Sequence, residues 1–171
     1  SSFISHEQAW INLYRELPKS KKFDEILAEG RKSWNNELSK IKVKAENTDY
    51  GLSNKIKFYS CFYRTILFPR QFHEYNINGE QIHYSPYNGE ILEGPLYTDN
   101  GFWDTFRAVF PFYTILYPEK LGEIMQGIMV NPFKESGWLP EWSSPGHRDC
   151  MIGSNSASII AEAFLKGIKD F

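Results

Sequence analysis

A surplus of one charge sign is missing from this chain: nineteen basic residues stand against twenty-one acidic ones in 171, a formal net charge of −2. There is no Lys/Arg cluster and no acidic tail, so the charge offers nothing to a nucleic acid or an anionic membrane surface, and small neutral ligands fit better. Long apolar runs are absent too. The longest, Val109 to Tyr117, is interrupted by Pro111 and falls well short of the roughly 20 residues of a membrane span. Cysteine is scarce, with Cys61 and Cys150 far apart and in no metal or redox spacing. They either pair or remain two buried thiols, and buried thiols are the expectation. The opening SSFISHEQAW lacks the basic region, apolar core and cleavage pattern of a signal peptide.

What is present is a succession of helical signals in a length suited to one compact unit. Ser5 followed by Gln8 is a capping-box arrangement, and it predicts a helix from about His6 to Leu17, stopped by Pro18. Phe23, Ile26, Leu27, Gly30, Trp34, Leu38 and Ile41 form one stripe at the 3.6-residue period, which predicts a second helix with a solvated charged back. From Ser53 to Phe68 the apolar residues surround the helix on all sides, so it is expected to pack on more than one face. Leu121, Ile124, Met125, Ile128 and Met129 keep the helical period after Pro118, with the methionines read as packing. A last helix begins around Ser154 to Ser156, with Ile159, Ile160, Ala163, Phe164 and Ile168 on its buried side.

Residues 70 to 100 break the helical pattern. Asn78-Gly79 and Asn88-Gly89 are turn signals beside short alternating segments, and they predict one short hairpin and a long connection. A connection of this length is expected to form a lid or a wall of a binding site. It leads to Asp99 and Asn100, which read most simply as helix caps.

The chemistry concentrates in two tryptophan-bearing segments, TDNGFWDTFR at 98–107 and GWLPEWSSPGHRDCMIG at 137–153. They set Trp103 beside Asp104 and Arg107, then Trp138, Glu141, Trp142, His147 and Arg148. A sugar needs this mixture, because its C–H faces stack on indole while its hydroxyls bond to carboxylate and guanidinium groups. Asp104 and Arg107 are three residues apart on one helical face, so they either pair with each other or both turn to a ligand. The alternative readings are core tryptophans in an unrelated helical scaffold, and a helical module that binds carbohydrate without chemistry.

YTDNGFWDTFR at 97–107, GWLPEW at 137–142 and PGHRDCMIGSNSASIIAEAFLKG at 145–167 resemble the central part of glycoside hydrolase family 92, the calcium-dependent exo-acting α-mannosidases. SFISHEQAW at 2–10 and WNNELSKIKV at 34–43 are similar to the start of that family's helical domain. The resemblance implies an all-α fold, part of an (α/α)6 barrel with about six helices and one short hairpin or long loop insertion. Residues 1–171 would be the N-terminal portion of that barrel, without the family's β-sandwich domain. An incomplete barrel leaves its inner face open to self-association.

The same resemblance implies removal of terminal mannose from N-glycans or mannans by an inverting mechanism assisted by calcium, in a periplasmic or secreted enzyme. Within it, Trp103, Asp104, Arg107, Trp142, His147 and Arg148 are the expected sugar-binding residues, the aspartate of the WDT motif falling on Asp104. Glycosidases use two carboxylates, about 5–5.5 Å apart for retention and about 6.5–9.5 Å for inversion. Asp104 and Glu141, with Asp149 behind them, are the candidate carboxylates in these segments, and Glu141 between Trp138 and Trp142 is the tempting acid. The family's acid and base lie in EGNAW-type and DEDNG-type motifs, and neither occurs in this sequence. No catalytic residue and no calcium ligand is therefore assigned within it. Ser154-Asn155 follow MIG where other members carry an aromatic residue and a histidine, so no linkage is assigned either.

Overall fold

The Ser5 hydroxyl accepts the Gln8 amide at 3.0 Å and opens α1 (His6–Glu16) in the computed structural model, which describes residues 1–171. Only half of the expected capping box forms. The Gln8 side chain is buried and turns away, donating to the Tyr75 carbonyl at 2.7 Å and to Asn12 Oδ1 at 2.9 Å. The part-buried carbonyl of Tyr75 gains a donor this way, and that bond outweighs a local cap.

The chain divides into two units, residues 17–67 and residues 1–16 with 68–171. The first holds α2 (Phe23–Leu38) and α3 (Asp49–Thr65). Thr48 caps α3 by accepting the Gly51 amide at 3.0 Å, Trp34 packs on Tyr63 with ring centres 4.6 Å apart, and Tyr59 donates to the Ile41 carbonyl. Two helices share only one mutual face. Accordingly α2 buries no residue and α3 buries Gly51 and Phe62, while Tyr50, Leu52 and Ile56 are exposed. The expected burial of α3 on several sides is not met within these residues. Cys61 is likewise exposed, as is Cys150 in the other unit, and both are free thiols rather than buried ones.

The second unit carries the core. α4 (Phe102–Thr105), α5 (Val109–Leu116), α6 (Pro118–Met125), α7 (Asn131–Ser136) and α8 (Asn155–Leu165) surround Phe102, Phe110, Leu121, Met125, Ile128, Met129 and Ile159, all at most 2% exposed. α6 and α7 are one rod, joined by a π-helical turn at Gln126–Val130. Pro132 explains it: proline has no N–H for the preceding turn and its ring crowds the carbonyl four residues back, so the ladder widens. The expected stripe from Leu121 to Met129 is buried along this rod, methionines included. Phe164 departs from expectation at 55% exposed, whereas Ile168 is buried after the helix, where its amide returns to the Ala163 carbonyl at 3.0 Å. No helix is long and apolar enough to cross a membrane.

Seven continuous helical rods therefore replace the expected six or so, and residues 70–101 hold more sheet than one hairpin. Both Asn-Gly turns are used: β2 (Glu74–Tyr75), β3 (Gln81–Tyr84) and β4 (Ile91–Glu93) form an antiparallel meander. β1 (Arg70–Gln71) pairs with β5 (Tyr97–Thr98), and β6 (Asn100–Gly101) pairs with β7 (Trp142–Ser143). That last pair, short as it is, positions the site.

Candidate functional site

The β6–β7 pair sets Asn100 opposite Ser143 and Gly101 opposite Trp142, so the two tryptophan segments become neighbours across about forty residues of chain. Gly101 lies beneath both. A β-carbon there would come within 2.7 Å of Asp104 Oδ2 and 3.0 Å of the Trp142 ring. Glycine is required by this close approach rather than by its backbone angle, since its φ is −96°. A carboxylate and an indole thus share one small patch of surface.

Asn100 does not cap α4. Its side-chain oxygen is buried and accepts the Thr105 hydroxyl at 2.8 Å, and the N-cap position falls to Gly101. Asp99 is no cap either. It adopts a left-handed backbone with φ of 61°, binds the Arg70 guanidinium, and accepts from the Ser144 hydroxyl at 2.9 Å. A non-glycine residue held in that region marks a position over-determined by its surroundings. Here it ties β1 to the chain just after β7.

Arg107 turns toward Trp103 rather than pairing with Asp104. Its guanidinium sits 4.6 Å from the Trp103 ring centre and 4.4 Å from that of Phe106, and Nη1 donates to the Trp103 carbonyl at 2.6 Å. Trp103 remains 44% exposed and Asp104 is exposed, so both are available to a ligand. Trp138, at 75% exposed, stands apart from this packing.

His147 is brought back to the same strand by a bridge between Ser143 and His147. Its ring meets Tyr87 edge to face at 5.0 Å, and Nε2 lies 3.1 Å from the Ser136 hydroxyl. That hydroxyl donates to the Pro132 carbonyl at 2.7 Å and accepts from the Trp138 amide, so His147 is the donor to it. Nδ1 is buried without a hydrogen bond, 3.6 Å from Glu141 Oε2, which is beyond hydrogen-bond reach although within ion-pair range. The other Glu141 oxygen accepts the Asp149 amide at 3.0 Å. Asp149 and Met151 both have left-handed backbones, at φ of 49° and 73°, so Glu141 acts as a brace on a tightly wound loop. Arg148 is exposed and is not drawn into these contacts.

The meander brings residues that the sequence did not single out against the second tryptophan segment. Tyr87, on the β3–β4 turn, faces His147 and approaches Ser143 Oγ at 3.4 Å, its hydroxyl pushed up to about 12 by burial. Behind it His83, Ser85 and Glu135 form a buried polar cluster. The Asn88-Gly89 turn signal was the only sequence cue to this placement. No three His, Cys, Asp or Glu side chains converge on one point.

The family model of the glycosyl hydrolase family 92 catalytic domain matches residues 8–171. The chain belongs to glycosyl hydrolase family 92. Among solved structures, it is similar to a family 92 inverting mannosidase of Bacteroides thetaiotaomicron, with 48% identity and a TM-score of 0.91 over 99% of this chain and 22% of that one. A second family 92 α-mannosidase of the same bacterium, solved with mannoimidazole, is 27% identical with a TM-score of 0.85 over 99% of this chain and 21% of that one. A secreted glycosidase of Arthroderma benhamiae, itself uncharacterised, is 25% identical over 99% of this chain and 17% of its own length. The family 92 chain described here thus spans about a fifth of the relatives it matches.

Proposed function

We propose that this family 92 chain is part of an exo-acting α-mannosidase that hydrolyses terminal α-mannosides of N-glycans or mannans by inversion, and that these residues supply sugar-binding groups. The observation that carries the reading is the Gly101–Trp142 pairing, which sets an exposed carboxylate, Asp104, beside an indole. Trp142 and Trp103 would stack on sugar C–H faces, and Asp104 would accept from two neighbouring hydroxyls. Arg107, His147 and Arg148 would complete the polar contacts. The mannosidases it resembles, one of them holding mannoimidazole, favour the enzyme over a non-catalytic carbohydrate-binding module.

The proton donor, the base and the calcium ion belong, in this reading, to residues outside the chain. When bound, calcium would hold sugar hydroxyls and help distort the ring; the residues here would bind and orient. The helices would form one part of an (α/α)6 barrel, residues 1–171 being its N-terminal portion. The exposed Phe23, Tyr50, Leu52 and Ile56 fit helices whose neighbours are the rest of that barrel, and alone they would favour self-association. Export to the periplasm or medium accords with the secreted relative.

The test is hydrolysis of an aryl α-mannoside by a protein comprising this chain and the remainder of the family domain, with and without calcium chelation. W103A and D104A are each expected to lower kcat/KM at least about 100-fold, roughly 2.7 kcal/mol. Unchanged kcat/KM in both variants would sink the assignment of this surface, and activity indifferent to chelation would sink the role of calcium.

A further inference from the structure

His83 is fully buried between two acceptors. Its Nδ1 lies 2.9 Å from the Gly94 carbonyl oxygen, and its Nε2 lies 3.0 Å from Glu135 Oε1, on a side chain only 5% exposed. A neutral imidazole carries one N–H and can serve only one of these partners as donor. The pair therefore holds an additional proton between Nε2 and Oε1. Glu135 Oε2 accepts the Ser85 hydroxyl at 2.5 Å, and Ser85 Oγ in turn accepts the amides of Tyr87 and Asn88. Both carboxylate oxygens are thereby satisfied, as a buried charge requires.

Two routes lead from this pair to His147. Through Ser85 it shapes the turn that presents Tyr87 edge-on to the His147 ring. Through the backbone it fixes the last turn of α7, where the next residue, Ser136, receives His147 Nε2–H. Tyr87 and Ser136, which meet the His147 ring, both trace back to Glu135, while Glu141 Oε2 lies 3.6 Å from its Nδ1.

We propose that His83 and Glu135 are positioning residues for the sugar site, a buried proton-sharing pair that sets the orientation of His147 through Tyr87 and Ser136. The inference rests on the reading of His147 as a sugar contact for its biological meaning, but its geometry stands alone. The pair has few titratable neighbours: Tyr87 faces the same carboxylate, and His73, on the neighbouring segment, feels the His83 charge weakly. Burial by itself would push the His83 ring down, yet the hydrogen bonds to Glu135 and Gly94 and the Glu135 charge carry it above its ordinary 6.5. The pair's contribution is thus complete below the ordinary value and lost as pH rises through the raised one. Above that point Glu135 faces a bare nitrogen lone pair, and the Tyr87 turn and α7 lose their shared anchor.

The experiment is a titration of the histidine ring signals of the 15N-labelled chain by NMR from about pH 6 to pH 9, in the wild type, E135Q and S136A. In the wild type, both nitrogens of His83 should be protonated at the acid end, and the His147 signals should show an inflection coincident with proton loss at His83. E135Q, which keeps the shape without the shared proton, should abolish that inflection; S136A should shift His147 and reduce the inflection. A singly protonated His83 across the range in the wild type, or His147 signals indifferent to its titration, would overturn the proposal even if E135Q fails to fold. Methyl α-mannoside added to the same samples separates the two readings. Coupled histidines whose signals do not respond to sugar would leave the positioning pair standing and remove its sugar role.

Discussion

Gly101 stands opposite Trp142 across a two-residue antiparallel pair, and the indole fills the space that a side chain at 101 would need. The contact joins the two aromatic segments and also presses Asp104 against the same spot. A methyl group there must displace either the ring or the carboxylate. We predict that G101A weakens mannoside affinity by about 10-fold, roughly 1.4 kcal/mol, while moving the melting temperature by only a few degrees. Calorimetric titration and tryptophan fluorescence would check both halves, and wild-type affinity in G101A would refute the contact.

Asp99 combines a left-handed backbone with bonds to Ser144 and Arg70. Asparagine tolerates that backbone and keeps an acceptor, glycine tolerates it without one, and alanine does neither. Stability in urea should fall in the order D99N, D99G, D99A, with D99A costing on the order of 1–2 kcal/mol. The exposed Arg70 contributes little of this. A D99A protein as stable as D99N would contradict it.

Two glycines in helices should respond in opposite directions. A β-carbon on Gly127 would lie 2.8 Å from Tyr97 Cδ2 and 3.1 Å from the Pro95 backbone, whereas one on Gly30, in the interior of α2, meets nothing within 4 Å. G127A should destabilise by about 1–3 kcal/mol through overpacking, and G30A should stabilise by about 0.5–1 kcal/mol through helix propensity. Chemical denaturation of the two variants gives the signs directly.

His73 is buried in its neutral form. Its Nε2 lies 3.1 Å from the Gln81 side-chain amide, its Nδ1 lies 3.2 Å from both the carbonyl oxygen and the amide nitrogen of Leu96, and burial pushes the ring below its ordinary value. A histidine depressed in the folded state contributes stability above the ordinary value of 6.5, which is lost as pH falls toward the folded one. Stability of the wild type should therefore decline from about pH 6.5 downward, and H73Q should flatten that slope. An unchanged slope in H73Q would assign that acid sensitivity elsewhere; Glu123, whose carboxylate is held low by Lys120 and Tyr97 against its burial, adds its own loss only below its ordinary 4.5.

Glu141 braces the Asp149 amide and lies beside His147. E141Q retains the acceptor for that amide and removes the acid. In an active protein containing this chain, we expect kcat within about 2-fold of the wild type, since losing a general acid costs at least about 100-fold. A loss of that size would restore Glu141 as the catalytic acid.

The sequence alone determined the helices whose signals are local. Pro18 and Pro118 bound helices, Ser5 and the 3.6-residue stripes placed α1, α2 and the 121–129 core face, and the Asn-Gly pairs marked both turns. Those signals act over a few residues, so they survive without knowledge of the fold. The aromatic and charged residues of the two tryptophan segments also identified the family. What only the tertiary structure decided is which distant groups meet. Nothing in the local pattern says that Gln8 would serve Tyr75, that Arg107 would choose Trp103 over Asp104, or that His83 would find Glu135 fifty-two residues on. Each of those choices answers the demand of a buried polar group or an aromatic face for a partner, and that demand arises only when the chain closes on itself.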